Sequence, residues 1–335
     1  MKSFLKAILA ILAVIAVSTF EQGHEKESYI FSKFQSFLKE HNKKYTTIEE
    51  YTARFNVFKT NYKKMEAFTL SRKPKTHNVG ITKFSDLTPQ EFRNTYLNLK
   101  VTLLDQIKAQ SSAYQTSFEA APAEFDWRKQ AAVGDVKDQG SCGSCWAFST
   151  VANLEGLYAI KNKKQVVLSE QQLVDCDTDQ DNGCNGGLME DAFRYVQEHG
   201  LALSSDYKYT GRDGTCKASR VKSAIAIKGQ HFAPDQDEEN IKKMLVETGP
   251  LSIAVNAEPL QFYDGGIINA DASECDPQAL SHAVAIVGYG SENGQAYWII
   301  RNSWGADWGE KGYVRFALGN GVCGVNNYVI TAELA

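Results

Sequence analysis

Three residues have the types and spacing to assemble a nucleophilic site. Cys145 stands in the run Gln139-Gly140-Ser141-Cys142-Gly143-Ser144-Cys145-Trp146-Ala147-Phe148-Ser149 and opens an apolar stretch, Cys145 to Ile160, patterned as a helix. A thiol at a helix N-terminus feels the positive end of the helix dipole, which favours the thiolate and lowers the pKa. The thiolate is the form that attacks an acyl carbon. Such a nucleophile needs a base. His282 lies 137 residues further on, at the head of the apolar run Ala283–Gly288, and Asn302 follows after another 20. An asparagine carbonyl oxygen can orient an imidazole as the third member of a triad, and the indole of Trp304 can shield that hydrogen bond from water. Two other histidines lie beyond Ala121. His199 is expected at a helix C-terminus, where a cation is favourable in its own right, and His231 falls in a polar connection with no partner evident.

Cys142 and Cys145 also have the spacing of a redox dithiol or of half a zinc site. Zinc needs further ligands, and there is no second C-x-x-C and no H-x-x-x-H in the chain. A dithiol site needs a small βαβ setting that this region lacks. Acyl transfer by Cys145 is the chemistry the residues favour.

The elements that must hold these groups fall into two parts. Between Ile48 and Phe68 the residues Tyr51, Phe55, Phe58, Tyr62 and Met65 recur at spacings of three and four, which predicts one apolar helix face. Thr88-Pro89-Gln90-Glu91 is a capping box with proline at the first helical position, opening a short helix through Leu97. From Lys100 to Ala120 the periodicity fades into a linker. All seven cysteines and all five tryptophans lie beyond Pro122. There Ser169-Glu170-Gln171-Gln172 forms a second capping box, and Leu188–His199 reads as a helix stopped by Gly200. Strands are predicted at Leu251–Asn256, Ala283–Gly288, Tyr297–Asn302, Gly312–Phe316 and Tyr328–Thr331. Helices first and strands second predict an α+β unit in two lobes.

Net charge is −4 over 335 residues, which excludes a polybasic nucleic-acid binder. The sum conceals +7 through Ala120 and −11 beyond it. Attraction between those two segments predicts a detachable basic prosegment that acid would loosen as Asp and Glu protonate. At the front, Lys2 and Lys6 precede eleven apolar residues, Ala7–Val17, with Ala16 and Ser18 suited to a cleavage site after Ser18. Eleven residues are too few for a membrane span, which takes about 20. The secretory pathway permits disulfides, and an odd cysteine count there points to an intermolecular bridge or to one reactive thiol. Six remaining cysteines allow 15 pairings, so spacing alone does not choose among them.

The run around Cys145 contains C-G-[SA]-C-[WY], and His282 falls about 130–150 residues after it. On these residues the chain resembles a papain-family, cathepsin L/F-like cysteine protease precursor over nearly its whole length. Glu50, Arg54, Phe58 and Asn61 follow the family's prosegment helix motif, with Met65 and Thr69 departing from it. Gly80-x-Thr82-x-Phe84-x-Asp86 is similar to the second prosegment motif, and Phe125-Asp126-Trp127-Arg128 to the start of a mature enzyme. Cys184-Asn185-Gly186-Gly187, Ser281-His282-Ala283 and Asn302-Ser303-Trp304 resemble the remaining cleft motifs, with Ser281 where the family often has Asp.

The resemblance implies a papain-like two-lobed α+β fold, a helical lobe and a β-barrel lobe with the cleft between, behind a helical inhibitory prosegment. It implies three segments: a signal peptide 1–18, a propeptide 19–120 and a peptidase domain 121–335. Cys145 is then the nucleophile and His282 the general base and acid. Asn302 orients His282, and the Gln139 amide with the Cys145 N–H forms the oxyanion hole. Gly187 takes the substrate backbone. Leu188, Met189, Leu280, Ala283 and Tyr328 line the pocket for the second residue before the scissile bond, with Trp304 beside the site. The apolar lining implies a preference for Leu, Val or Phe there. Disulfides would join Cys142–Cys184, Cys176–Cys216 and Cys275–Cys323, leaving Cys145 free. The expected partners are protein and peptide substrates, the chain's own propeptide as intramolecular inhibitor, and cystatin-type inhibitors. No metal, organic cofactor, nucleic acid or membrane partner is expected, and the enzyme is expected to be a monomer. Its destination is the lysosome, an acidic vacuole or the extracellular space. The competing reading is a catalytically silent relative acting as a binding or inhibitor protein; Gln139, Cys145, His282 and Asn302 together argue against it.

Overall fold

The computed structural model describes residues 25–71, 76–99, 101 and 112–335. The expected signal peptide and most of the 100–111 stretch of the linker lie outside the described residues. The chain divides into two units, one made of Met1–Arg72 with Lys83–Thr88 and the other of Lys73–Thr82 with Pro89–Ala335.

In the first unit α1 (residues 25–40) packs on α2 (Ile48–Leu70) through aromatic rings. Phe34 and Phe37 stand 5.2 and 5.1 Å from Phe58, and all three are fully buried. The start of α2 is fixed reciprocally. The Thr47 hydroxyl accepts the Glu50 N–H at 3.1 Å, and Glu50 Oε2 accepts the Thr46 N–H at 3.0 Å, which satisfies donors that a helix end leaves orphaned. The motif residues on this helix hold the segment 83–88. Arg54 donates to the Asp86 carbonyl at 3.1 Å, and Asn61 donates to the Ser85 and Leu87 carbonyls at 3.0 and 2.8 Å. The buried Asp86 carboxylate accepts from Tyr45 at 2.8 Å and pairs with Lys43 at 3.0 Å.

The second unit carries a helical lobe and a sheet lobe. Its helices are α3 (Pro89–Tyr96), α4 (Cys145–Asn162), α5 (Glu170–Cys176), α6 (Met189–His199) and α7 (Glu238–Thr248). Its strands are β1 (His77–Val79), β2 (Ser112–Ala113), β3 (Phe125–Asp126), β4 (Leu201–Ala202), β5 (Ser223–Ile225), β6 (Ile227–Phe232), β7 (Leu251–Val255), β8 (Tyr263–Ile268), β9 (His282–Glu292), β10 (Gln295–Arg301), β11 (Tyr313–Ala317) and β12 (Tyr328–Leu334). The large sheet runs β1-β8-β11-β10-β9-β7-β12-β6-β2 with β3 beside β9, and β4 pairs β5 separately.

Helix α4 is buried on nearly every face, as befits a helix at the centre of a core. Two of its polar residues, Ser149 and Asn153, bond to the sheet. Ser149 donates to the Val284 carbonyl at 2.7 Å, Ser252 donates to the Ser149 carbonyl at 2.8 Å, and Asn153 accepts the Ala332 N–H at 3.1 Å. Buried groups of this kind must be paired, so these bonds fix where α4, and with it Cys145, sits against β9 and His282.

The structure extends the predicted strands and adds others. Strand β9 starts on His282 itself and runs to Glu292, where Asn293 (φ 51°) and Gly294 (φ 81°) make the hairpin into β10. Both residues take positive φ, which an Asn-Gly pair adopts readily in such a turn. Strands β6 and β8 and helix α7 were not predicted. Strand β6 alternates weakly because Gly229, Gln230 and His231 interrupt it, and β8 contains the pair Gly265-Gly266. The linker is not wholly irregular either: Ser112–Ala113 pair in parallel with His231 and Phe232. His231 also has a partner, Glu333 Oε2, at 3.5 Å.

Candidate active site

Residues 139–145 meet α4 at its N-terminus in an unusual way. Ser144 occupies the N-cap position, yet its side chain makes no capping bond. Its hydroxyl instead contacts Tyr209 Oη at 2.8 Å, and Tyr209 donates to the Gln139 carbonyl at 2.8 Å. The first-turn N–H groups of α4 are thereby left for something other than a side-chain cap. The Gln139 side chain is fully buried and its orientation is determined by its partners. Nε2 donates to the Cys142 carbonyl at 2.9 Å and Oε1 accepts from the Ser303 hydroxyl at 2.6 Å. A carbonyl can only accept, so the amide nitrogen must face Cys142.

His282 Nε2 lies 2.8 Å from Asn302 Oδ1, which also accepts the Ser303 N–H at 2.8 Å. Asn302 Oδ1 is an acceptor, so the His282 proton rests on Nε2 and Nδ1 is left as the basic nitrogen. The Trp304 ring stacks on the imidazole at 4.7 Å and 28°, and both residues are fully buried. The Cys145 thiol meets the backbone of Ala283, next to His282, and the backbone of Asn98.

The segment after α3 lies over these groups. Phe92 and Tyr96 pack edge-on to Trp304 at 5.5 and 6.2 Å. The Leu99 N–H donates to the Ser281 carbonyl at 3.1 Å. Gly186 has φ +114°, and a Cβ there would stand 2.1 Å from the Asn98 carbonyl oxygen, so only glycine admits the chain laid across it. Leu99 is buried in the same apolar cluster as Met189, Ala283 and Tyr328, with Leu188 and Leu280 packed against it. Gly187, by contrast, directs its missing side chain inward, towards Asp181 and Trp146.

Electrostatics in this covered state differ from the expectation of a thiolate. Burial pushes the Cys145 thiol up to about 11, against modest support from backbone N–H groups. Burial likewise holds His282 down to about 4, opposed by its bond to Asn302. Desolvation penalises whichever form is charged, so under residues 97–99 both groups rest neutral and the dipole of α4 does not prevail.

Disulfides join Cys142–Cys184, Cys176–Cys216 and Cys275–Cys323, the pairs that the resemblance implied, and Cys145 is free. With Cys142 bonded to Cys184, no dithiol exists at 142–145. Among the described residues there is no group of three or more His, Cys, Asp or Glu placed to hold a metal, and no helix long and apolar enough to cross a membrane. Sequence reasoning named Ser303 only as part of the Asn302-Ser303-Trp304 motif, without its bond to Gln139, and did not find Tyr209 or Asn98, which carry no local signal.

A buried free thiol, an imidazole bonded to an asparagine and a leucine laid in the adjoining apolar cluster come together in one covered site. Residues 121–333 match the description "Papain family cysteine protease", and residues 34–92 match "Cathepsin propeptide inhibitor domain (I29)". The chain belongs to the papain family of cysteine proteases. It is 44% identical to cysteine proteinase 15A of Pisum sativum over 318 residues, covering 90% of this chain and 86% of that protein. It is 41% identical to cysteine protease XCP2 of Arabidopsis thaliana over 315 residues, covering 91% and 86%. Among solved structures, digestive procathepsin L 3 from Tenebrio molitor larval midgut superposes with a TM-score of 0.82 at 33% identity, covering 91% of this chain and 99% of that one. The protein is thus a cysteine endopeptidase in its zymogen form, with a propeptide domain of the inhibitor type.

Proposed function

We propose that Cys145, His282, Asn302 and Gln139 carry peptide hydrolysis, within a chain divided into a signal peptide 1–18, a propeptide 19–120 and an enzyme 121–335. Once residues 97–99 leave the site, water re-enters, the desolvation penalty falls, and the thiol proton passes to His282 Nδ1. The Cys145 thiolate then attacks the scissile carbonyl. The Cys145 N–H at the uncapped end of α4 and the second N–H of the Gln139 amide stabilise the oxyanion. His282 protonates the leaving amine, and then deprotonates the water that releases the acyl group from Cys145.

The observation that carries the specificity is Leu99, a leucine seated in the apolar cluster with Met189, Ala283 and Tyr328. It supports a preference for Leu, Val or Phe at the second residue before the scissile bond. We place the enzyme in an acidic vacuole, lysosome or secreted fluid, as a monomer open to cystatin-type inhibitors. The test is acid processing of the precursor with a mild reductant, followed by peptides that vary only at that second residue. Leucine, valine and phenylalanine peptides should be cleaved and an aspartate peptide should not. Equal kcat/KM across the four would remove the pocket assignment, and cleavage by Cys145→Ser would remove the nucleophile.

A further inference from the structure

The extended segment Gly186–Leu188 is gripped from behind by a loop bearing two carboxyl groups. Asp181 Oδ1 accepts the Leu188 N–H at 2.7 Å, and the Asn182 N–H donates to the Gly186 carbonyl at 2.8 Å. The loop therefore holds the chain on both sides of Gly187. A Cβ on Gly187 would fall 2.5 Å from Asp181 Oδ1, so the carboxyl is packed against the back of this segment. Asp181 and Asp177 are each 5% exposed. Asp177 follows α5, where its N–H donates to the Leu173 carbonyl at 3.0 Å.

The two carboxyls adjoin one another, and Oδ2 of each is buried with no donor. Two buried carboxylates so placed repel unless one holds a proton. Burial, then the charge of Asp177, holds the Asp181 carboxyl up to about 10, whereas Asp177 stands at about 6. Asp179, Asp191 and Arg194 face Asp177, and Asp191 faces Asp181. Glu190 and Tyr195 stand on the same helix α6. Arg194 is already paired with Asp191 at 2.6 Å, so it is not free to neutralise the pair.

We propose that Asp181, whose carboxyl packs behind Gly187 and accepts the Leu188 N–H, is a positioning residue for substrate binding that holds Gly187 and Leu188 in register for an extended peptide. The proposal rests on the reading of Gly187 as the substrate-docking position. When Asp181 loses its proton, two like charges meet in a buried space, and the carboxyl that must shift is the one tied to Leu188. The segment slackens and substrate binding weakens, while the chemistry at Cys145 is untouched.

The test measures kcat and KM separately, from pH 5 to pH 10, on the acid-processed enzyme and a peptide with leucine as its second residue. Wild-type KM should rise roughly tenfold towards pH 10, the loss of about one hydrogen bond. Asp181→Asn supplies an N–H to Asp177 and a carbonyl to Leu188 without titrating. It should keep the wild-type KM within about twofold at pH 6 and abolish the alkaline rise. Asp181→Ala should raise KM roughly tenfold at pH 6 with kcat little changed. A wild-type KM flat to pH 10, a rise unchanged in Asp181→Asn, or an unshifted KM in Asp181→Ala overturns the proposal. Should the alanine variant fail to fold, the asparagine variant decides alone. A peptide N-methylated at its second residue tests the reading beneath. If methylation leaves KM unchanged, docking on Gly187 is wrong. If methylation raises KM while the Asp181 variants do nothing, only the positioning role is wrong.

Discussion

The covered thiol makes a quantitative prediction about alkylation. In the precursor Cys145 is fully buried and its thiol stands at about 11. At pH 5 only about one molecule in a million then carries the thiolate. In the processed enzyme the α4 dipole and a protonated His282 act on an open site, and thiols so placed fall to roughly 3.5–7.5. At the lower end of that range nearly every Cys145 is thiolate at pH 5. The reactive fraction rises on the order of 10⁶-fold. Intrinsic nucleophilicity falls with a Brønsted slope of about 0.4–0.5, which across the difference removes on the order of 10³. A net acceleration of about 10³-fold remains, before the steric cover of residues 97–99 is counted. The assay pulses a self-processing precursor with iodoacetamide at pH 5 and reads both species in one tube by intact mass. Adducts should accumulate on the processed form alone. Alkylation of precursor and processed enzyme at rates within tenfold of each other would refute the argument from burial.

Three further outcomes follow from the same physical terms. Glu190 is 2% exposed, and burial raises its carboxyl from 4.5 to about 8. A raised carboxyl contributes its stability fully below the unfolded value and loses it as pH climbs through the folded one. Glu190→Gln should therefore stabilise the precursor at pH 7 by up to about 3 kcal/mol and give nothing at pH 4, as read by denaturant midpoints; a gain equal at both pH values would show the carboxyl to be unperturbed. Lys137 contacts Glu155 at 2.7 Å and Glu170 at 2.6 Å, where both carboxylates are buried. Lys137→Met leaves buried Glu170 without its cation and Glu155 with only Arg301 at 4.0 Å; it should cost about 3 kcal/mol of stability, checked by thermal unfolding, and an unchanged midpoint would contradict it. Ser303→Ala removes the donor to Gln139 Oε1 and frees the amide to turn. It should lower kcat about tenfold with KM little changed, and a loss confined to KM would reassign Gln139.

What the sequence made legible followed from local chemistry. Cys145 announces itself because its neighbours are small or apolar and it opens a helix, and His282 and Asn302 stand at strand ends where side chains can reach a cleft. The prosegment helix was legible from one aromatic face, whereas its cap at Thr47 and Glu50 was read only from the structure. What stayed hidden depends on contacts distant in sequence. Tyr209 reaches Ser144 and Gln139 from 65 and 70 residues away. The reversal of the expected thiolate comes from burial of Cys145 in a cluster that includes the distant Leu99, which no local pattern around 145 encodes. Strand β8 was missed because Gly265 and Gly266 carry no β signal, although pairing with β1 and β11 imposes the conformation.

The central claim is that Cys145 forms the covalent bond to substrate. A slowly deacylated ester substrate, mixed with acid-processed enzyme, quenched in acid and mapped by peptide mass, tests it directly. The account predicts one acyl group per enzyme, on Cys145, and none in the precursor. An acyl group on another residue, or turnover with no acyl-enzyme at all, would contradict it.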